Sequence, residues 1–157
     1  MQTQRSPRVK KRNVQFALFV LLVLAGCDRG PSVVLHASDG PNVRIRVELA
    51  TTPAAQAQGL MYRHELASDA GMLFIFPTDS VLHFWMKNTL IPLDMLFIDR
   101  DRRIVGIVEH AHPMSTEPVG PDQPARYVLE VNGGFAAQHR IAVGSTVEFV
   151  AVPEGAG

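Results

Sequence analysis

The sequence predicts an α+β, mostly β domain: a compact antiparallel sheet or small β-barrel with one or two short helices. Three observations lead there. Short apolar or alternating runs recur through most of the chain, separated by Gly, Pro, Asn and Asp turn residues. Only two stretches carry helix signals, and both are short. The chain is 157 residues long, with 46% hydrophobic and 19% charged residues, which fits one modest globular domain.

SVVLHA at 32–37 reads as a first strand, followed by turn chemistry in SDGPN. Residues 42–50 alternate cleanly, with Val43, Ile45, Val47 and Leu49 on one face and Arg44, Arg46 and Glu48 on the other. A helix is expected over about 53–60: Thr51 or Thr52 can cap it, Pro53 suits its first position, and Gly59 marks its end. MLFIF at 72–76 is a continuous apolar run, as in a strand covered on both faces, and Pro77 is expected to end it. HFWM at 83–86, MLFID at 95–99, RIVGIVEH at 103–110 and ARYVLEV at 125–131 are further strand candidates. GGFAAQHRI at 133–141 is the second helix candidate, and TVEFVAV at 146–152 closes the domain.

The N-terminus has a different character. Arg5, Arg8, Lys10, Lys11 and Arg12 precede an apolar run from Phe16 to Leu24, and LAGC follows. A charged head, a short apolar core and small residues are the build of a secretory signal peptide, and LAGC resembles the bacterial lipobox, whose cysteine is acylated. The run is well short of the ~20 residues that span a bilayer. The expected organisation is a signal peptide over 1–26, an acylated Cys27 and tether over 27–31, and one domain over 32–157. That predicts a bacterial cell-envelope protein, membrane-anchored through Cys27 and facing the periplasm or exterior. Asp28 resembles the residue that favours inner-membrane retention in Gram-negative lipoproteins.

Beyond Cys27, ten basic residues face fifteen acidic ones, a net −5. A mildly acidic body gives no support for nucleic-acid binding, which needs a basic face. Cys27 is the only cysteine, so an internal disulfide, a cysteine metal site and a thiol catalyst are excluded from the mature domain. No G-x-S-x-G, P-loop, H-E-x-x-H or dinucleotide fingerprint occurs, and no cofactor is expected.

The candidate site centres on HFWMKNTLIPLDMLFID at 83–99, where charges sit in an apolar run. Lys87 and Asp94 flank a loop constrained by Pro92 and could meet across its base as a structural ion pair, with Asn88 bonding the loop backbone. Alternatively, Lys87, Asn88 and Asp94 form the polar wall of a pocket with Trp85 as its apolar floor, fit for a small polar ligand such as a sugar. Arg63 could clamp an anionic group or pair with Glu65 or Glu130. Asp94 and Glu130 could together serve glycosidic hydrolysis if they faced one cleft. His110 and His112 could supply two metal ligands, with a third from His83, His36 or His64, but loop histidines on an exposed rim are the simpler reading. Met61, Met72, Met86 and Met95 read as core filler.

GLMYRHEL at 59–66, GMLFIFP at 71–77, FWMKNTLIPLDMLFID at 84–99 and ARYVLE at 125–130 resemble the DUF192 family, also catalogued as UPF0127. The resemblance runs from about 42 to 152. It implies a compact, mostly β domain with short helices, exported or lipid-anchored in many members, and it supplies no reaction. Its motif positions map onto Met61, Arg63, Trp85, Met86, Lys87, Asn88, Pro92, Asp94 and Glu130. Two departures stand out: Met114 lies where many relatives carry Cys, and DRDRR replaces a turn where relatives commonly have Gly. Arg102 takes that turn position here, which implies either a different turn type or a left-handed conformation at Asp101. The function expected is therefore a small-ligand-binding or accessory domain of the envelope, with a carbohydrate hydrolase using Asp94 and Glu130, or a protein-interaction module, as alternatives.

Overall fold

The computed structural model describes residues 30–37 and 39–153. The expected signal peptide and Cys27 lie outside the described residues. Seven strands and two short helices follow in order: β1 (Ser32–His36), β2 (Val43–Ala50), α1 (Pro53–Gln58), β3 (Ala70–Val81), β4 (Leu93–Ile98), β5 (Ile104–Ala111), β6 (Pro124–Asn132), α2 (Phe135–His139) and β7 (Thr146–Val150). They form one mixed sheet of order β5-β4-β6-β3-β2-β1-β7, curled into a half-barrel.

All neighbouring strands run antiparallel except β2 and β3, which are parallel. Parallel neighbours need a crossover, and the stretch carrying α1 supplies it. The two edges of the sheet meet at one corner. Ile104 donates its N–H to the Ser145 carbonyl at 2.9 Å, and Val147 donates to Arg102 at 2.8 Å. This local closure explains the curl and protects both edge strands there.

The curl gives the sheet two cores. One holds Val33, Leu35, Ile45, Leu73, Leu96, Leu129 and Val131 together with Phe135 and Ala136 of α2. The other, on the opposite face, holds Met72, Phe74, Met95, Phe97 and Val128 beneath Leu60 and Met86. The middle of β3, β4 and β6 is thus covered on both faces, which is why MLFIF in β3 and MLFI in β4 are continuous apolar runs rather than alternations. By contrast, β2 alternates, with Arg44, Arg46 and Glu48 less buried than Ile45 and Val47.

Three expectations are changed or settled. HFWM at 83–86 is not a ladder strand: only Phe84 bridges, to Val119. Its alternation survives, however, with Met86 buried and His83, Trp85 and Lys87 exposed. β3 continues past Pro77 to Val81, although its regular pairing with β6 shifts register between Ile75 and Ser80. In the turn before β5, Arg102 rather than Asp101 adopts positive φ, at 63°. Its guanidinium is held between the rings of Tyr127 and Phe149, 4.3 and 3.6 Å from their centroids, which compensates for the strained backbone. Helix α1, by contrast, is built as expected: the Thr52 hydroxyl accepts from the Ala55 N–H, Pro53 opens it, and Gly59 caps it at φ 48°.

Candidate binding site: a cavity over a buried carboxyl

On the Met72–Phe74–Met95 face lies a cavity of about 430 Å³. Residues 56–61, at the end of α1 and just beyond it, form one wall. Phe74 and Phe76 of β3 form the floor, and the segment from Leu82 to Trp85 forms the facing wall, with Thr89 and Pro118 behind it. The lining is mainly apolar. Phe84 is its organising ring, meeting Phe74, Phe76 and Phe97 edge-on at centroid distances of 5.0, 6.3 and 5.9 Å. Trp85 and His83 are exposed residues of the lining, so they mark the mouth.

Glu130 supplies the one carboxyl of the lining. Its residue is 5% exposed, and no hydrogen bond or ion pair to it exists among the described residues. Burial alone pushes its carboxyl up to about 8, because desolvation disfavours the charged form and nothing opposes it. At neutral pH it is therefore largely protonated. Gly59 makes room for it. A Cβ at that position would stand 3.3 Å from Phe74 Cζ and 3.8 Å from Glu130 Oε2, and φ 48° already disfavours any side chain.

The sequence pairs Glu130 with Asp94, but the register separates them. Glu130 is opposite Met95, and Asp94 is opposite Val131, so neighbouring positions on adjacent strands point to opposite faces. The two carboxyls do not share a cleft. Nor does Asp94 meet Lys87. Asp94 is fully buried and accepts three backbone N–H bonds: His110 at 2.8 Å, Gly134 at 2.9 Å and Ala136 at 2.8 Å. The first holds a bulge in β5, where His110 takes φ 49°; the other two cap α2, whose own N-cap Gly134 has no side chain to do so.

The remaining expected site residues disperse. Lys87 is exposed, with its ammonium 5.3 Å from the centroid of the Trp85 ring. Asn88, at φ 56°, donates to the Tyr62 hydroxyl at 2.9 Å while its carbonyl accepts from the Tyr62 N–H at 2.8 Å. The pair ties two loops together instead of facing a ligand. Arg63 clamps neither Glu65 nor Glu130. It is bidentate to Glu48, at 2.5 and 2.6 Å, and the guanidinium holds that carboxyl below its ordinary range. No group of three metal-ligating side chains occurs among the described residues, so the histidines do not assemble. Of the six expected ligand-binding residues, only Trp85 and Glu130 line the cavity. Sequence reading missed the aromatic floor and the α1 wall, although the recurrence of Phe74, Phe76, Phe84 and Trp85 in an otherwise aromatic-poor chain was a usable signal.

No curated protein is significantly similar to this chain. Solved structures that share its fold include the following two. One is a candidate transcription regulator from Sinorhizobium meliloti 1021, 39% identical, with a TM-score of 0.74, covering 79% of this chain and 97% of its own. The other is a protein of unknown function from Novosphingobium aromaticivorans, 41% identical, with a TM-score of 0.72, covering 74% of this chain and 83% of its own. The sequence profile of DUF192, described as an uncharacterized ACR, matches residues 34–149, and so this chain belongs to the DUF192 family.

Proposed function

We propose that this protein is a cell-envelope domain, lipid-anchored through Cys27, that binds a small ligand in the cavity over Glu130. The observation that carries the reading is the cavity itself. Its volume of about 430 Å³ lies in the range of ligand sites, and its apolar walls converge on one carboxyl left without a protein partner. The carboxyl opens onto the cavity, where it is free to take a hydrogen-bonding partner. Its presence fits a ligand that supplies the missing bond. A hydrolase using Asp94 and Glu130 is not supported, because the register puts them on opposite faces. The regulator description of the Sinorhizobium relative gains no support from charge either, since the acidic excess beyond Cys27 disfavours a nucleic-acid face.

The test is a screen of small molecules against the isotopically labelled full-length chain in detergent. Ligands should shift the amides of Leu60, Phe74, Phe84 and Trp85, and Ala57→Trp, an exposed wall position, should block the effect. Hits that map elsewhere and survive Ala57→Trp would sink the cavity reading. Anchoring is tested separately: palmitate incorporation should vanish in Cys27→Ser.

A second reading has its own observation. Tyr62, Trp85, Leu90 and Met114 are all large, apolar and at least 40% exposed, and their loops are bonded through Tyr62–Asn88 and Met114–Thr89. Such a patch suits protein docking. Tyr62→Ser with Met114→Ser should leave small-ligand shifts intact while abolishing any partner contact seen by in-cell cross-linking at Leu90; retained cross-linking would dismiss this reading.

A further inference from the structure

The cavity shows not only that something small can enter but also which charge it should carry. Its lining contains one acidic group and no Lys or Arg. The neighbouring cations are otherwise engaged: Arg63 with Glu48, and Lys87 on the Trp85 ring. The facing elements add no further acid or base inside: α1 is PAAQAQ, β3 presents Met72 and Phe74, and β4 presents Met95. At the mouth stand His83 and the Lys87 ammonium over the Trp85 ring. Once Glu130 ionises, a cation would be drawn to it and an anion repelled, with no Lys or Arg in the lining to neutralise the charge.

The walls are aromatic as well. Phe74, Phe76 and Phe84 line the cavity with Glu130, and ring faces attract desolvated cations, while the Trp85 ring already carries Lys87. Glu130 itself has acceptor positions that no donor among the described residues fills. A primary ammonium brings three donors on a compact head, which matches both the carboxyl and the aromatic setting. Resting on the cavity reading above, we infer that the ligand is an organic cation: a primary amine on an apolar body, its ammonium bound by Glu130 and its body held among Phe74, Phe84 and Trp85.

This assignment couples binding to protons. The carboxyl that burial keeps largely protonated must lose its proton to pair with an ammonium, and the proton goes to solvent. The amine keeps its own proton throughout. Affinity should therefore rise about tenfold per pH unit from pH 6 towards 8, then level off. His83 at the mouth faces the same approach, so its contribution needs separating from that of Glu130.

Trp85 is the only tryptophan in the chain and sits in the lining, so its fluorescence reports directly. The experiment titrates the full-length protein in detergent with n-hexylammonium, 1-hexanol and hexanoate, matched in size and differing in head charge. Expected is a saturable change, with hexylammonium binding at least about tenfold tighter than hexanol at pH 8 and hexanoate weakest. Glu130→Gln should erase the preference and the pH slope, whereas His83→Gln should keep the rise between pH 7 and 8. If hexanol binds as well as hexylammonium, or hexanoate binds best, the cation assignment falls and the cavity reading stands. If none of the three perturbs Trp85 at any pH, both fall.

Discussion

Two acidic side chains lie on adjacent strands one register step apart, and the protein treats them in opposite ways. Asp94 and Glu130 are both buried in the middle of the sheet. Asp94 faces the α2 side and receives three backbone donors. Glu130 faces the cavity and receives none among the described residues. The first organises the chain: it joins β4, the β5 bulge and the α2 N-terminus at one point. The second contributes nothing visible to the fold and is held by burial in its neutral form. A buried carboxyl that is satisfied is a structural clamp, and one that is not is a place for a ligand.

The sharpest way to break this contrast is Asp94→Ala. It strands three buried or half-buried N–H groups and leaves a void between β4 and α2. A loss of about 3–5 kcal/mol is expected in denaturant unfolding of the full chain. Asp94→Asn should recover only part of it, since an amide has one acceptor oxygen where Asp94 uses two. A loss below about 1 kcal/mol would mean that the three bonds do not clamp the fold.

Glu130→Gln should act with the opposite sign. A group whose folded pKa is raised contributes stability that is fully present below the unfolded value. That contribution is lost as pH climbs through the folded one. For Glu130 the window runs from 4.5 to about 8, so wild-type stability should fall across it while the Gln variant stays flatter. At 1.36 kcal/mol per pH unit, the variant should gain on the order of a few kcal/mol by pH 8. Equal pH slopes for the two proteins would show that Glu130 finds a partner in solution. It would then belong with Asp94.

Much of this was legible in the sequence, but unevenly. Local signals held: the Thr52–Pro53–Gly59 punctuation of α1, the alternation of β2 and the double burial of MLFIF in β3. The signals that failed were those that depend on a partner far along the chain. HFWM alternates like a strand, yet alternation specifies a face and not a neighbour, and only Phe84 finds one. Asp94 looked like an ion-pair partner because its true partners are backbone N–H groups at 110, 134 and 136, which have no side-chain signature. The cavity is assembled from α1, β3, the 82–89 segment and β6, so its walls were scattered through the chain, and Gln56 and Gly59 carry no chemistry that announces a site.

Gly59→Ala sharpens the cavity half of the comparison. The methyl would adopt an unfavourable φ and press on Phe74 beside the Glu130 carboxyl. About 1–2 kcal/mol of destabilisation is expected from the backbone alone. Ligand affinity should fall as well, because the group intrudes on the carboxyl end of the cavity. Lost stability with unchanged ligand shifts would place the ligand nearer the Trp85 mouth.

The smallest effect comes from the Arg63–Glu48 pair, and it supplies the control for the pH argument. Both partners are substantially exposed, at 35% and 56%, so solvent screens them and a double-mutant cycle should give about 0.2–1 kcal/mol. Glu48 is shifted downwards, first by its hydrogen bonds to Arg63. Its stabilisation is therefore present above the unfolded carboxyl range and is lost as pH falls through the lowered value, the reverse of Glu130. Coupling energy measured at pH 7 and again at pH 3 should shrink at the lower pH, and added salt should weaken it at the higher. The Glu130→Gln difference should run the other way with pH and respond little to salt, because its origin is desolvation and not a charge partner. If salt altered the two alike, Glu130 would be sensing a charge, and the separation of a satisfied acid from a waiting one would fail.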